Sequence, residues 1–597
     1  MDKNRGISIR AAKAVFAAFA LLALMLCLSA CGGSSAAKPT TTAPTASIQA
    51  GSSQITAGQP VAITWSSTNA TSIAIDPAVA PAPLPASGSA TVTPAATTTY
   101  NMTATGPGGS AASAVTVNVT AAQPAVTLVS SVPAITAGSS ATLTWTSSNA
   151  VSVSFSPPVG TDPPALSGSA TVMPAVTTIY TLTGTGAAGT TPATASVTIN
   201  VVAPGTALSP ITHLIIVMMQ NRSFDNLFGT YPMANGFNPQ ALGYNQVDAQ
   251  GKTVSPTLLP NLISPPIQNL LHDTRSYTAS YDGGKMDKFA FTNGDVAMQY
   301  YDSSVMGTAD DGKPFGINTL WGYAQQYTLS DNFYPSAMDS EPANILYMTA
   351  ATVHDTLTAN SYPALDKCSV IQQQQNGGTI APALTTLTNI GDQMNANHVS
   401  WTWYMENFNN EQNSNCADYV PQENAFQYFA NTANSANLLN FVPADFQTSL
   451  ANGTLPSVLW ITPAPIHSMH PGSGNVANGI EWLDNLVQSV KSSPAWPSTA
   501  IIVLWDESGG WYDHVPPPQL VLSVPDPPGL GARVPVILIS PFAKAGVISH
   551  QQMDFVSILR FIQWNWGLGI LTDPTQSARE MQTGDLCDLL TIPCASP

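Results

Sequence analysis

The stretch richest in chemistry is Trp505-Asp506-Glu507-Ser508-Gly509-Gly510-Trp511-Tyr512-Asp513-His514. It follows Ile501-Ile502-Val503-Leu504, a run of apolar β-formers. Two adjacent carboxylates therefore stand where a buried strand runs out into a loop. Unpaired carboxylates are costly to desolvate, and a hard cation is a common compensation. The glycine pair lets backbone or ligand approach closely. In open α/β sheets the sites form at such carboxyl ends of strands. A second polar strand end is Met219-Gln220-Asn221-Arg222. The fold is expected to set the two ends opposite each other.

The elements that must do this are legible as apolar runs. Leu214–Met219, Ser457–Ile461, Ile501–Trp505 and Val534–Ser540 read as strands buried on both faces. Helical patterns at Asn478–Lys491 and Met553–Trp564 lie among them. Continuous apolar strands interleaved with helices predict an α/β domain with a mainly parallel sheet, here over residues 208–597. That is long for one such domain, and Asp302–Pro314 and Gln372–Thr379 read as loops carrying the excess.

The part before it is a different kind of protein. Of the 597 residues only 9% are charged, and the net charge is −17. Between Cys31 and Gly205 the charged residues are Lys38, Asp76 and Asp162 alone. An acidic chain lacks the basic face that a nucleic-acid partner requires. A repeat settles this region. Ile55-Thr56-Ala57-Gly58, Thr64-Trp65, Asn69-Ala70, Ser87–Val92 and Tyr100 all recur 80 residues later, as with Trp145 and Tyr180. Alternation such as Val115-Thr116-Val117-Asn118-Val119 means half-buried strands. Two immunoglobulin-like sandwiches are expected, over 46–121 and 122–203. They read as a stalk, with glycan or surface binding as the other role.

Residues 1–31 form an export signal. Lys3, Arg5, Arg10 and Lys13 precede the apolar run Ala14–Leu28, which is short for a membrane span. Leu28-Ser29-Ala30-Cys31 resembles a bacterial lipobox, which implies a lipid anchor at Cys31. No Asp follows Cys31, which points to the outer membrane and a site facing the periplasm or the surface. Residues 32–45 form a flexible tether. Cys368, Cys416, Cys587 and Cys594 remain, and export permits disulfides. Four cysteines allow three pairings; Cys587–Cys594 as a local bridge and Cys368–Cys416 as a long one form the favoured set.

Several blocks, in order, carry a family resemblance. They are His213–Asp225, Gly283–Asp287, Ser330–Phe333, Ser400–Tyr404, His470-Pro471, Asp506–Pro517, Arg533–Pro535 and Ser557–Ile562. Together they resemble the phosphoesterase family of bacterial phospholipases C and acid phosphatases, which also includes plant non-specific phospholipases C. The resemblance implies an alkaline-phosphatase-like core and metal-assisted hydrolysis of phosphoesters, of a phospholipid or of a small molecule. It implies metal ligation by Asn221, Asp506 and Glu507, together with Gln220, where the family usually has glutamate. The ion is divalent: calcium, manganese, magnesium or zinc.

Phosphoryl transfer depends mostly on positioning and charge neutralisation, so these residue types make chemical sense on their own. The resemblance places the nucleophile in Met338–Tyr347, where Ser340 is the candidate and Ser336 the second choice. His272, His470 and His514 match family positions and could hold a phosphate oxygen or protonate a leaving group. A family histidine is replaced in Gln422-Glu423-Asn424-Ala425-Phe426, so Glu423 could return the charge that Gln220 lacks. Arg222 reads as a structural partner of Asp225. Gln220 and two missing family histidines, the second where this chain has Asp554-Phe555, keep open a second class, a surface-binding or adhesion protein whose phosphoesterase domain is impaired. The oligomeric state is not legible.

Overall fold

The computed structural model describes residues 41–597 apart from 161–163, 263–268, 309–311, 313, 340, 354–360, 409–415, 417–418, 520–528, 593 and 595–597. The export signal, Cys31 and Ser340 thus lie outside the described residues. The chain divides into two compact units, Met1–Ala122 and Gln123–Pro597.

The first unit is a β-sandwich. A three-stranded sheet of Ser47–Ala50, Val61–Ser66 and Ser87–Val92 faces a four-stranded one of Gln54–Thr56, Gly109–Thr120, Thr98–Gly106 and Ser72–Asp76. Alternation places Ile63, Trp65, Tyr100, Met102 and Val117 in its core. The same plan recurs 80 residues on, which gives the sequence repeat its physical meaning. The Trp65 indole donates to the Pro85 carbonyl at 3.0 Å, and the Trp145 indole to that of Ala165 at 2.9 Å. Asn69 and Asn149 turn at φ of 59° and 56°, a region asparagine tolerates. Gly88 and Gly168 lie against the tryptophan rings, where a Cβ would stand 2.5 Å and 3.0 Å from the nearest ring atom.

The two repeats part at one edge strand. Ser52-Ser53-Gln54 in the first becomes Val132-Pro133-Ala134 in the second. Ala134–Thr136 is fully buried. Val132 packs on the core of the α/β domain, and the Thr136 hydroxyl donates to the Gly567 carbonyl at 3.4 Å. The second sandwich is therefore fastened to the α/β domain by apolar replacements.

The α/β domain is built on one eight-stranded sheet. In chain order its strands are β1 (His213–Met219), β2 (Thr328–Ser330), β3 (Trp401–Met405), β4 (Leu438–Asn440), β5 (Val458–Thr462), β6 (Thr499–Trp505), β7 (Val536–Ile539) and β8 (Val547–Ser549). Their spatial order is β4-β3-β5-β1-β6-β7-β2-β8. Every neighbouring pair is parallel except β6 with β7 and β7 with β2. The sheet is thus mixed, with β7 alone reversed. All seven residues of β6 are buried, so both faces are covered. Helices Glu341–Ala350 and Phe555–Trp566 pack together, as do Ile317–Gln326 and Val476–Lys491.

Two expected loops are partly structured. Within Asp302–Pro314, Met306–Thr308 forms a hairpin with Pro314–Gly316. Gln372 lies inside the helix Ser369–Asn376, because its amide donates to the carbonyls of Cys416, at 3.1 Å, and Tyr419. The favoured disulfides Cys368–Cys416 and Cys587–Cys594 are both formed. Among the described residues no helix is long and apolar enough to cross a membrane.

The unequal ring clearances generate a comparison. Gly88→Ala is expected to cost about 1–3 kcal/mol through overpacking, and Gly168→Ala less. Calorimetric melting of the two full-length variants checks this; equal shifts would contradict it.

Candidate active site

β1 and β6 run parallel in register, with Met219 opposite Trp505. The residues after them, Gln220-Asn221 and Asp506-Glu507, are therefore adjacent by construction. The ladder continues past the strand ends. The Asp506 amide donates to the Met219 carbonyl at 3.0 Å, and the Arg222 amide to that of Glu507 at 3.1 Å. One carboxylate oxygen of Asp506, Oδ1, accepts from the amides of Asn221 and Glu507, each at 2.8 Å. The other, Oδ2, is buried without a hydrogen-bond partner.

The glycine pair has a specific duty here. Gly509 sits at φ 62°, and a Cβ on it would come 2.5 Å from that of Asn221. At Gly510, φ 79°, a Cβ would come 2.7 Å from the Leu271 carbonyl. The first glycine admits Asn221, the second the segment that carries His272. Asn221 itself has φ 55° and does not cap the next helix. Ser223 does, accepting from the Asn226 amide.

Glu341, at the start of its helix, completes the cluster. One oxygen from each of Glu341, Asp506 and Glu507 lies within 4.8 Å of the others. Asn221 Oδ1, Asp506 Oδ2 and Glu507 Oε1 are all buried and unpartnered. Burial, and then the neighbouring charges, push the pKa values of Asp506 and Glu507 well above the usual carboxylate range. Burial pushes Glu341 up to about 7. Oxygen donors, converging negative charge and unmet hydrogen-bonding capacity are the chemistry a hard divalent cation satisfies, so the cluster fits a metal ion.

Beside this cluster, and sharing Glu341 with it, opens a pocket of about 390 Å³, lined among others by Gln220, His272, Tyr362, Glu423 and His470. The two histidine rings lie 6.4 Å apart. Burial lowers the pKa of His272, and burial followed by His272 lowers that of His470 to about 4. Both are neutral near pH 7. His272 Nδ1 bonds the Leu270 carbonyl, which leaves Nε2 as a lone pair 3.7 Å from Glu507 Oε1. Two acceptors facing each other at that distance call for a proton or a cation.

His514 stands elsewhere, bonded through Nδ1 to Asp225 Oδ2 at 2.7 Å. Arg533 joins the same group, 2.9 Å from Asp513 Oδ1 and 3.2 Å from Asp225 Oδ1. Burial opposes a charge on His514, but the bond to Asp225 outweighs it and raises the pKa. This buried ion network ties the loop after β6 to the helix after β1. Arg222 does not pair with Asp225, because Arg533 and His514 occupy that carboxylate. Its guanidinium donates to the Met469 carbonyl at 3.0 Å and stacks 4.9 Å from the Trp511 ring centre.

Ser336 accepts from the Phe555 amide at 3.1 Å and serves the fold. Asn344 braces the segment before Ser340, accepting from the Ala337 amide at 2.8 Å and donating to the Asp339 carbonyl at 3.2 Å. Sequence reasoning missed Glu341, although it adjoins the candidate Ser340 at a helix start. It also missed Tyr277, whose hydroxyl donates to Glu507 Oε2 at 2.8 Å. No local signal marks Tyr277; tertiary packing alone brings it there.

A family model described as the Phosphoesterase family matches residues 211–569. Phospholipase C A of Mycobacterium tuberculosis is 28% identical over 425 residues, covering 64% of this chain and 77% of that protein. Non-hemolytic phospholipase C of Pseudomonas aeruginosa is 24% identical over 402 residues, covering 60% of this chain and 54% of that protein. Among solved structures, a protein in the alkaline phosphatase superfamily from Vibrio parahaemolyticus aligns with a TM-score of 0.32 at 10% identity, over 64% of this chain and 72% of that one. The matched span takes in both strand ends, the pocket and the Arg533 network. The chain belongs to the Phosphoesterase family and is a phosphoric ester hydrolase.

Proposed function

We propose that this enzyme cleaves phosphoesters, of phospholipids or of small molecules, at the cluster beside this pocket through a serine nucleophile. The observation that carries the reading is the set of buried, unpartnered oxygens on Asn221, Asp506 and Glu507 beside the Glu341 carboxyl. These four residues would hold a hard divalent cation, and an all-oxygen set favours calcium, magnesium or manganese over zinc. When bound, such an ion neutralises charge on the phosphoryl group and polarises it. Gln220 offers a neutral carbonyl oxygen in the same place.

Ser340, next to Glu341 in the chain, supplies the hydroxyl that attacks phosphorus as the ester oxygen departs. Water then cleaves the serine phosphoester and restores the hydroxyl. The free lone pair of His272 Nε2 takes up a proton, and His470 steadies a phosphoryl oxygen or passes the proton to the leaving group. His514 acts as a positioning residue, holding the loop through Asp225. The phospholipase C relatives favour a phospholipid substrate, with an acid-phosphatase-type monoester as the alternative. The intact cation cluster favours a working enzyme over a surface-binding protein with an impaired domain. The two sandwiches are read as immunoglobulin-like modules in an exported lipoprotein, anchored to the outer membrane through Cys31.

Asp506→Asn and Ser340→Ala are each expected to lower turnover of a phosphorylcholine ester or a chromogenic phosphomonoester by about 10³-fold or more, the scale of losing one charge-stabilising group. Activity surviving Ser340→Ala would remove the serine but leave the cation. Activity indifferent to Asp506→Asn would overturn the site.

A second expectation concerns stability. The folded chain holds the Glu341 proton more tightly than the unfolded chain, with a pKa of about 7 against an ordinary 4.5. Metal-free protein should thus lose stability as pH rises from about 4.5 to about 7. With a divalent cation bound, Glu341 would be held ionised and that proton released. After chelator treatment, manganese should raise the melting midpoint more at pH 7 than at roughly pH 5. An equal or absent rise at both would contradict a cation cluster.

A further inference from the structure

His470 Nδ1 is buried without a hydrogen-bond partner, so no bond on that side orients the ring. Its place depends on the chain that carries it. That chain is the turn between β5 and the helix Val476–Lys491, and it is closed on itself. The His467 amide donates to the Ala464 carbonyl at 2.8 Å, and the His470 amide to the Ser468 hydroxyl at 3.3 Å. Met469 takes φ 68°, a conformation that persists at a non-glycine residue only where the surroundings impose it. Two glycines let the turn lie close to the start of the helix. A Cβ on Gly474 would come 2.6 Å from the Pro465 carbonyl, and one on Gly479 2.3 Å from the Met469 side chain.

One carboxylate fastens this turn. Glu406 follows directly after β3, and its amide donates to the Thr462 carbonyl at the end of β5, at 3.1 Å. Its Oε2 accepts from the Ala464 amide at 2.7 Å and from His467 Nδ1 at 2.8 Å, and its Oε1 from the Trp482 indole at 3.0 Å. Burial opposes its charge, but the bonds to His467 and the Ala464 amide outweigh it and lower the pKa. An ionised carboxylate has acceptors only, which suits three converging donors. On its other side the turn meets the residues after β1. The Ser468 carbonyl accepts from the Gln220 amide at 2.8 Å, and the Met469 carbonyl from the Arg222 guanidinium at 3.0 Å. We propose that Glu406 is a positioning residue for the hydrolysis: it fixes the 464–470 turn against the helix and so sets where His470 meets the phosphoryl or leaving oxygen. The inference rests on the part His470 takes in the proposed reaction, and not on the cation or on Ser340.

The test is a double-mutant cycle with the full-length protein, in steady-state hydrolysis of p-nitrophenyl phosphate and of a phosphorylcholine ester with manganese present. Glu406→Ala is expected to lower kcat by about 10²-fold, the scale of a small misplacement of a reacting group, with KM within about threefold of wild type. In the His470→Ala background the same substitution should cost less than about threefold, because the group it positions is gone. Circular dichroism checks that the variants are folded. Should Glu406→Ala not fold, Glu406→Gln, which keeps the volume and one acceptor oxygen, carries the cycle. It should lose about tenfold in kcat beside His470 and less than about threefold without it. Equal losses in the two backgrounds would overturn the proposal and make Glu406 a residue of the fold alone. So would a raised KM with kcat unchanged, or full activity of Glu406→Ala. His470→Ala turning over like the wild type would take His470 out of the reaction and this role of Glu406 with it, while the serine and the cation stand on their own tests. Turnover of neither substrate by the wild type would overturn the hydrolytic reading itself and the proposal with it.

Discussion

The site depends on the parallel, in-register pairing of two buried strands. β1 and β6 end together at Met219 and Trp505, and the next residues are polar on both sides. The Asp506 carboxylate continues the ladder by accepting from the Asn221 and Glu507 amides. Half of that carboxylate is thereby satisfied by backbone, and half is left facing its neighbours. Desolvating it is costly unless something positive joins it. The strand pairing thus both positions Asn221, Asp506 and Glu507 and creates their demand for charge.

Two acidic clusters lie at this edge of the sheet, and they differ in how their charge is answered. Asp225, Asp513 and His514, like Glu341, Asp506 and Glu507, each bring one ligand atom within 4.8 Å of the others. In the first cluster Arg533 supplies the counter-charge through bonds to both aspartates. That network is closed and buried, and it locks the loop after β6 against the helix after β1. In the second cluster no guanidinium or ammonium among the described residues answers the carboxylates. Their pKa values rise instead, that of Glu341 through burial and those of Asp506 and Glu507 through burial and then neighbouring charge. Rigidity sits in the neutralised cluster and binding capacity in the other.

Much of this was legible in the chain, for identifiable reasons. Apolar runs mark β1 and β6 because strands covered on both faces cannot alternate. The Asp506-Glu507 pair and the glycines after it stand out because charge at a buried strand end needs a cause. The repeat exposed the two sandwiches because Trp65 and Trp145, with Gly88 and Gly168 beneath them, are packing constraints that recur with the fold. Glu341, Tyr277 and the true partner of Arg222 were not legible. Each depends on which loop crosses which strand end, a choice made by tertiary contacts and not by local pattern. The proximity of Glu423 to Gln220 lies between these cases. A missing charge in one motif and an unexpected one in another could be matched by chemistry, but only the fold brings them together.

The central claim is that the paired strand ends hold a hard cation. The most direct measurement is anomalous diffraction from crystals of the full-length protein grown with manganese. An anomalous peak within about 2.0–2.6 Å of oxygens from Asn221, Asp506 and Glu507 is the result the account predicts. Well-ordered density for those three side chains with no peak among them, or a peak only at the Asp225–Asp513–His514 cluster, would contradict it.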